Sequence, residues 1–230
     1  MPRDPLGERW PEVYRGEPEV LQRFSRAQDR GGVLLPALLE RAELAGRRVL
    51  EVGCGAGRWT ADLARSARHL SALEPEPGLL ALARREPATG ARWMRGRAEA
   101  LPFADGSVER IVAFWVYANL RPRLRAAAVQ EARRAVGDAG ELWLVENAGG
   151  DDYEALRRAA DLPVEPEILP LVEEHGFVVA STLETELAFA SEEEARFLLG
   201  RILGPRVEAE LDRRPRRSFR HRVAFLRGGG

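Results

Sequence analysis

The chain predicts an α/β fold in which one doubly wound, mostly parallel sheet of seven strands is covered by helices on both faces. Three observations lead there. Of the 230 residues, 45% are apolar, enough to bury a substantial core. After Gly46, short apolar or β-branched runs alternate with helical spacing, the pattern of parallel strands joined by crossover helices. The first of these runs enters a turn with glycine at three alternate positions, Gly53, Gly55 and Gly57, and a helical pattern follows.

Residues 1–46 read as a helical arm, because Val20, Leu21, Phe24 and Ala27 fall at helical spacing within Glu19–Arg30 and Val33–Leu44 repeats the pattern. Strands are expected at Arg48–Val52, His69–Leu73, Trp93–Arg97, Ile111–Trp115 and Glu141–Val145, with helices at Arg58–Ala67, Gly78–Arg85 and Arg121–Val136. A helix ending at His175, with Gly176 as its left-handed cap, leads into a long strand region, Phe177–Phe189. Ser191 is an N-cap, and Glu192, Glu193 and Glu194 suit the positive end of a helix running to about Leu203. Phe219–Leu226 is the final strand, and Gly228–Gly230 is expected to fray. With no Gly/Ser-rich linker, residues 47–230 read as a single domain with a helical insertion at about 191–212.

Composition narrows the chemistry. All 35 cationic residues are arginine, which excludes a Schiff-base lysine and the lysine of a P-loop. A single cysteine, Cys54, and three scattered histidines, His69, His175 and His221, give no internal disulfide and no metal-ligand spacing, so no metal is expected. The net charge of −1 provides no global field for nucleic acid or anionic lipid. The longest apolar stretches fall short of the roughly 18 to 20 residues that span a bilayer. The first residues are charged and carry no apolar run, so the expectation is a cytoplasmic chain without a membrane partner.

The informative segment is Val49–Arg58, a buried strand with Glu51 near its end followed by Gly53-Cys54-Gly55-Ala56-Gly57. Glycine permits positive φ and removes the Cβ, so a ligand can lie against the backbone at the carboxyl edge of the sheet. Dinucleotide binders place a third glycine where this chain has Arg58. A carboxylate two residues before the first glycine suits an ammonium-bearing ligand better than a pyrophosphate. On these residues the chain resembles the class I S-adenosylmethionine-dependent methyltransferases, in particular the small-molecule branch with an E/D-x-G-x-G-x-G motif. Further similarity lies in Leu70–Pro75, which ends on the acidic Glu74, in Gly96–Ser107, and in Glu131–Gly140 before the fifth strand.

The resemblance implies a Rossmann-like methyltransferase fold with the last strand antiparallel, S-adenosylmethionine as methyl donor, and no metal. It implies a donor site of Glu51, Gly53, Cys54, Gly55, Gly57, Glu74, Pro75, Ala98, Glu99 and Trp115, with Glu74 on the ribose hydroxyls. Arg97 departs from the family, which commonly has an acid there. Arginine cannot accept a hydrogen bond, so adenine recognition is expected from the backbone at Ala98 and the neighbourhood of Glu99.

The donor's methyl is activated by its own sulfonium, so catalysis requires mainly in-line alignment at about 3 to 3.5 Å. A base is needed only for a protonated acceptor, and Tyr117, Glu146, Tyr14 and His175 are the candidates, with Glu146 favoured by its position after the fifth strand. The arm, through Trp10, Tyr14 and Phe24, and the insertion are expected to cover the sheet edge. The cluster from Arg213 to Arg222 would suit a phosphate track, but six nearby carboxylates, Glu192, Glu193, Glu194, Glu208, Glu210 and Asp212, offset it. A small-molecule acceptor is therefore the expectation, and the alternatives are an RNA or protein acceptor and a non-catalytic binding module.

Overall fold

The computed structural model describes Val13 and residues 16–85, 90–162 and 168–230. Tyr14 and Trp10 lie outside the described residues. Seven strands form one sheet: β1 (Arg48–Val52), β2 (His69–Glu74), β3 (Arg92–Arg95), β4 (Arg110–Phe114), β5 (Glu141–Asn147), β6 (Val178–Ala188) and β7 (Ser218–Gly229). Their order is β3-β2-β1-β4-β5-β7-β6, with β1 to β5 parallel and β7 antiparallel to both of its neighbours. The order reverses between β1 and β4, and at such a switch point the crossover connections diverge and leave a crevice at the carboxyl ends of the strands.

The helices are α1 (Pro18–Ala27), α2 (Leu34–Ala42), α3 (Thr60–Ser66), α4 (Pro77–Ala83), α5 (Pro122–Val136), α6 (Asp152–Ala159), α7 (Leu169–Glu173), α8 (Glu192–Leu203) and α9 (Pro205–Arg213). Strand alternation sorts the core into two faces. Leu50, Ile111, Ala113, Leu142, Leu144, Ala224 and Leu226 pack against Ala128, Val129, Ala132 and Ala135 of α5 and Leu171 of α7. Val49, Val112, Phe114, Trp143, Val145, Val223 and Phe225 face Leu34, Leu35 and Leu38 of α2 and Leu63 of α3. A third apolar cluster joins α1, α6, α8 and α9 through Leu21, Phe24, Leu156, Leu198, Leu199, Ile202, Leu203, Val207 and Leu211.

Two local readings of the sequence need correction. Gly228 and Gly229 are not frayed: they pair with Leu142 and Glu141 in the sheet, and Phe177 packs where a Cβ on Gly228 would stand, 2.7 Å from its Cε1. Helix α6 was not expected. Its signal is the Asp-x-x-Glu cap in which Asp151 Oδ1 accepts the Glu154 N–H at 2.8 Å.

The link between α1 and α2 turns on Asp29, 2% exposed and held at φ 51°. Its carboxylate accepts the backbone N–H groups of Val33 and Leu34, both at 3.0 Å, and the Thr185 hydroxyl at 2.5 Å. It caps α2 and fastens the connector to β6 in one contact set. Asp29→Ala leaves these donors unsatisfied and is expected to cost about 2 kcal/mol, read as a lowered urea midpoint with unchanged slope. Asp29→Asn should lose less.

Candidate functional site

A cleft of about 580 Å³ opens at the carboxyl ends of β1, β2, β4 and β5, within the ~300–1,000 Å³ range of small-molecule sites. Its floor is the glycine turn after β1. Gly53 N–H and Cys54 N–H both donate to Leu73 O, at 2.8 and 3.1 Å, and dock the turn on β2. Gly53 has φ 71°, and a Cβ there would meet Val116 Cγ2 at 2.4 Å. Gly55 has φ 56°, lines the cleft, and a Cβ there would meet no protein atom within 4 Å. The backbone is therefore open to a ligand at Gly55.

Gly57 has a different role from the one expected. It does not line the cleft; a Cβ there would press on Trp93 at 3.1 Å and Ala83 at 3.2 Å, so its glycine serves packing against β3 and α4. Glu51, Gly53, Cys54, Gly55, Glu74, Pro75, Ala98, Glu99 and Trp115 do line the cleft together. Arg97 joins them and forms an ion pair with Glu99 at 3.4 Å.

Two buried carboxylates flank the turn. Glu51, 1% exposed, accepts the Thr60 hydroxyl at 2.6 Å, and burial pushes its pKa up to about 7. Glu74, 3% exposed, accepts Gly55 N–H and Glu76 N–H, each at 3.0 Å, and burial pushes it up to about 7 as well. Neither has an arginine partner among the described residues, so the ionised pair lacks a neutralising cation. Cys54 is buried between them and its pKa is raised by burial and by both carboxylates, which keeps it a thiol.

The other end of the cleft is built on the loop after β4. Glu146 Oε1 accepts the N–H groups of Val116, Tyr117 and Ala118 at 3.2, 2.9 and 3.2 Å. Arg125 donates to the carbonyls of Tyr117, Ala118 and Leu120 at 3.1, 3.0 and 2.9 Å. Trp115 enters this loop at φ 55°, a left-handed conformation strained for an indole-bearing residue. Its ring stacks 5.9 Å from His221, whose Nε2 lies 2.8 Å from Asn147 Oδ1. Tyr153 of α6 sits 5.3 Å from the same imidazole and 6.5 Å from Phe24.

The candidate bases fare differently from expectation. Glu146 is fully buried, does not line the cleft, and holds the loop. β5 continues to Asn147, so strand alternation gives the cleft Asn147 and turns Glu146 away. Tyr117 is also fully buried in the core and does not line the cleft. His175 lies at the end of α7, where its carbonyl accepts from Arg133 at 2.6 Å, away from the cleft. Tyr14 is outside the described residues. The sequence reading also missed Arg58, Asn147, Tyr153 and Arg157, all of which line the cleft. Arg58 stacks its guanidinium 4.0 Å over Trp59, and burial lowers its pKa to about 10. Tyr153 and Arg157 share a face of α6 by their i, i+4 spacing, a signal lost with the helix itself.

Comparison with known proteins finds a methyltransferase domain. Residues 49–140 match the model of a family described as a methyltransferase domain. The chain is 34% identical over 127 residues to the biotin biosynthesis bifunctional protein BioHC of Cellvibrio japonicus, covering 54% of this chain and 23% of that one. It is 32% identical over 128 residues to a malonyl-[acyl-carrier protein] O-methyltransferase of Pectobacterium atrosepticum, covering 56% and 45%. The chain thus spans less than half the length of either relative. Among solved structures, the YcgJ protein from Bacillus subtilis shares the fold, with a TM-score of 0.62 at 17% identity over 84% of this chain and 96% of that one. The match over the glycine turn and β1 to β4 shows a methyltransferase domain at residues 49–140, set in a sheet of seven strands whose fold the solved structure shares.

Proposed function

We propose that the chain transfers a methyl group from S-adenosylmethionine to a small-molecule acceptor bound at the β4–β5 end of the cleft. The observation that carries this reading is the pair Glu51 and Glu74, two buried carboxylates on either side of an open glycine, whose ionised forms lack a cation. An adenosyl ligand with an ammonium and a vicinal diol answers both. Glu51 would hold the ammonium. Glu74 keeps free lone pairs beyond its two backbone bonds and would take the ribose hydroxyls. Arg58, with an unpartnered Nη1, would hold the α-carboxylate, and the Ala98–Glu99 segment would meet the adenine.

The donor supplies a methyl group already activated by its sulfonium. The protein's share is alignment in a cleft walled by Phe114, Trp115 and Trp59, which restrict water. An acceptor on RNA or protein would draw on the Arg213–Arg222 cluster. There Arg216 and Arg220 engage Asp152 at 2.7 and 3.7 Å, Arg213 engages Glu210 at 2.9 Å, and Arg222 donates to Gly149 O at 3.1 Å. These partners favour a small acceptor.

Calorimetry tests the donor directly. S-adenosylmethionine and S-adenosylhomocysteine are expected to bind and NAD is not, with Glu74→Ala weakening both adenosyl ligands by about tenfold or more. Binding of NAD alone, or an unchanged affinity in the variant, refutes the reading.

The carboxylates also give a pH signature. Their folded pKa of about 7 lies above the ordinary 4.5, so below pH 4.5 both states are protonated and no ionisation penalty applies, and stability is lost as pH rises through about 7. The Tm of the ligand-free protein should therefore fall between pH 5 and 8, and the stabilisation by S-adenosylmethionine should grow over the same range. The double variant Glu51→Gln/Glu74→Gln should flatten both trends.

A base at Glu146 would make Glu146→Gln lose on the order of 10²-fold or more in turnover. Because Glu146 holds the loop from outside the cleft, the folded variant should instead keep kcat within a few-fold, while Glu146→Ala lowers Tm.

A further inference from the structure

Five aromatic side chains line the cleft, Phe24, Trp59, Phe114, Trp115 and Tyr153, in a chain of which only 7% of residues are aromatic. With His221 they form one unbroken run of rings. Trp59 stacks on Phe114 with 5.0 Å between centroids and 25° between planes, and Phe114 meets Trp115 at 6.2 Å. Trp115 lies nearly parallel to His221, at 5.9 Å and 15°, and Tyr153 stands 5.3 Å from His221 and 6.5 Å from Phe24. The rings thus cross from the segment after the glycine turn to α1. Side chains braced by one another in this way have little freedom left to lose when a ligand arrives.

Trp115 is the costly member of the run. Its backbone is held at φ 55°, and its Nε1–H is buried with no hydrogen-bond partner. Glycine would take that φ without strain, and phenylalanine would supply a ring without an orphaned donor. Both penalties fall on a residue that lines the cleft, and the backbone around it is fastened: its N–H donates to Val145 O at 2.8 Å, and its carbonyl accepts from Asn119 Nδ2 at 2.8 Å. Strain gathered on one side chain points to a use for that side chain. Behind the indole, burial lowers the His221 pKa to about 4, so the ring that supports it is a neutral imidazole and places no cation against its π-system.

We infer, resting on the methyl-transfer reading above, that the methyl acceptor is a planar aromatic compound that stacks on Trp115 as a third layer over His221, with Phe24 and Tyr153 closing on it from α1 and α6. A flat ring gains from offset stacking and edge contacts as well as from the area it buries. An alkyl acceptor would gain the area alone, and a smooth aliphatic wall would provide that without a strained indole. Trp115 is therefore the residue that sets the preference for flat acceptors, and His221 positions it.

The test is calorimetry on the full chain saturated with S-adenosylhomocysteine. The probes are 2-naphthol, 2-aminonaphthalene and 2-naphthalenethiol, which present an oxygen, a nitrogen and a sulfur, each beside its decahydro counterpart. The saturated member of each pair buries at least as much apolar area, so a preference for the flat one reports stacking and shape. Each aromatic probe is expected to bind about three- to tenfold tighter than its partner. Trp115→Leu should remove that preference, and Trp115→Phe, which keeps a ring and sheds the orphaned donor, should keep part of it. Equal affinity within the pairs, no binding of any aromatic probe, or a preference that survives in Trp115→Leu would overturn the assignment, as would label from methyl-labelled S-adenosylmethionine entering a saturated probe faster than its aromatic partner. In each of those cases adenosyl binding leaves the methyl-donor reading standing. Absence of adenosyl binding would overturn both.

Discussion

The β4–β5 half of the cleft depends on how the backbone between Trp115 and Leu120 is held. Glu146 collects three successive N–H groups of this segment on one oxygen, and Arg125 gives its guanidinium to three of its carbonyls. A buried carboxylate is expensive to ionise unless hydrogen bonds repay it, and here burial still wins, pushing Glu146 up to about 8 against three backbone donors and the nearby arginine. The return is positional. With both polarities of the peptide groups fixed from opposite sides, Trp115 is kept at φ 55°, and its indole lies over His221 in turn. His221 orients Asn147, so the orientation of two cleft-lining side chains follows from one clamp that itself never touches the cleft.

Most of the sheet was legible because its strands obey period two and its helices period 3.6 with little interference. β1 falls where its apolar run predicts, and the other strands differ from expectation by at most three residues at either end. Those small differences decided the chemistry. Ending the fifth strand at Val145 left Glu146 to be read as a cleft carboxylate, whereas two more residues of strand exchange it for Asn147. Gly57 was legible as a glycine the turn requires, but whether its missing Cβ admits a ligand or a neighbouring side chain depends on Trp93 and Ala83, which arrive from β3 and α4. His221 is likewise invisible locally. It lies on the last strand, 68 residues beyond Tyr153, and only the antiparallel register of β7 against β5 brings them together.

Covering the cleft is a matter of apolar burial more than of charge. α1, α6, α8 and α9 share one hydrophobic cluster, into which Leu21, Phe24, Tyr153 and Leu203 reach while also lining the cleft. Ion pairs cross the same contact, Arg23 to Glu194 at 2.7 Å and Arg201 to Glu17, but their arginines are half exposed, and pairs of that kind contribute about 0–1 kcal/mol each. Burying four large side chains, at roughly 1.5–3 kcal/mol apiece, outweighs them. The cover is thus tied to the apolar content of the cleft, and substrate shape and cover stability are written in the same residues.

The absence of lysine takes on a structural meaning from these contacts. Arg134 donates to Leu101 O and Phe103 O and to the carboxylates of Glu131 and Asp105, so one side chain holds the segment between β3 and β4 against α5. Arg125 does the same for the loop after β4. Each uses a planar fork of donors that an ammonium, with three donors on one atom, cannot span. Arg134 and Arg125 are therefore backbone staples, fixing the two loops that border the cleft. Arg157 lines the cleft from α6, and there too a guanidinium persists as a cation under burial. A lysine buried to the same degree would shed its proton far more readily, so a chain that keeps a buried cation in the lining of a largely apolar cleft is served by the residue it has.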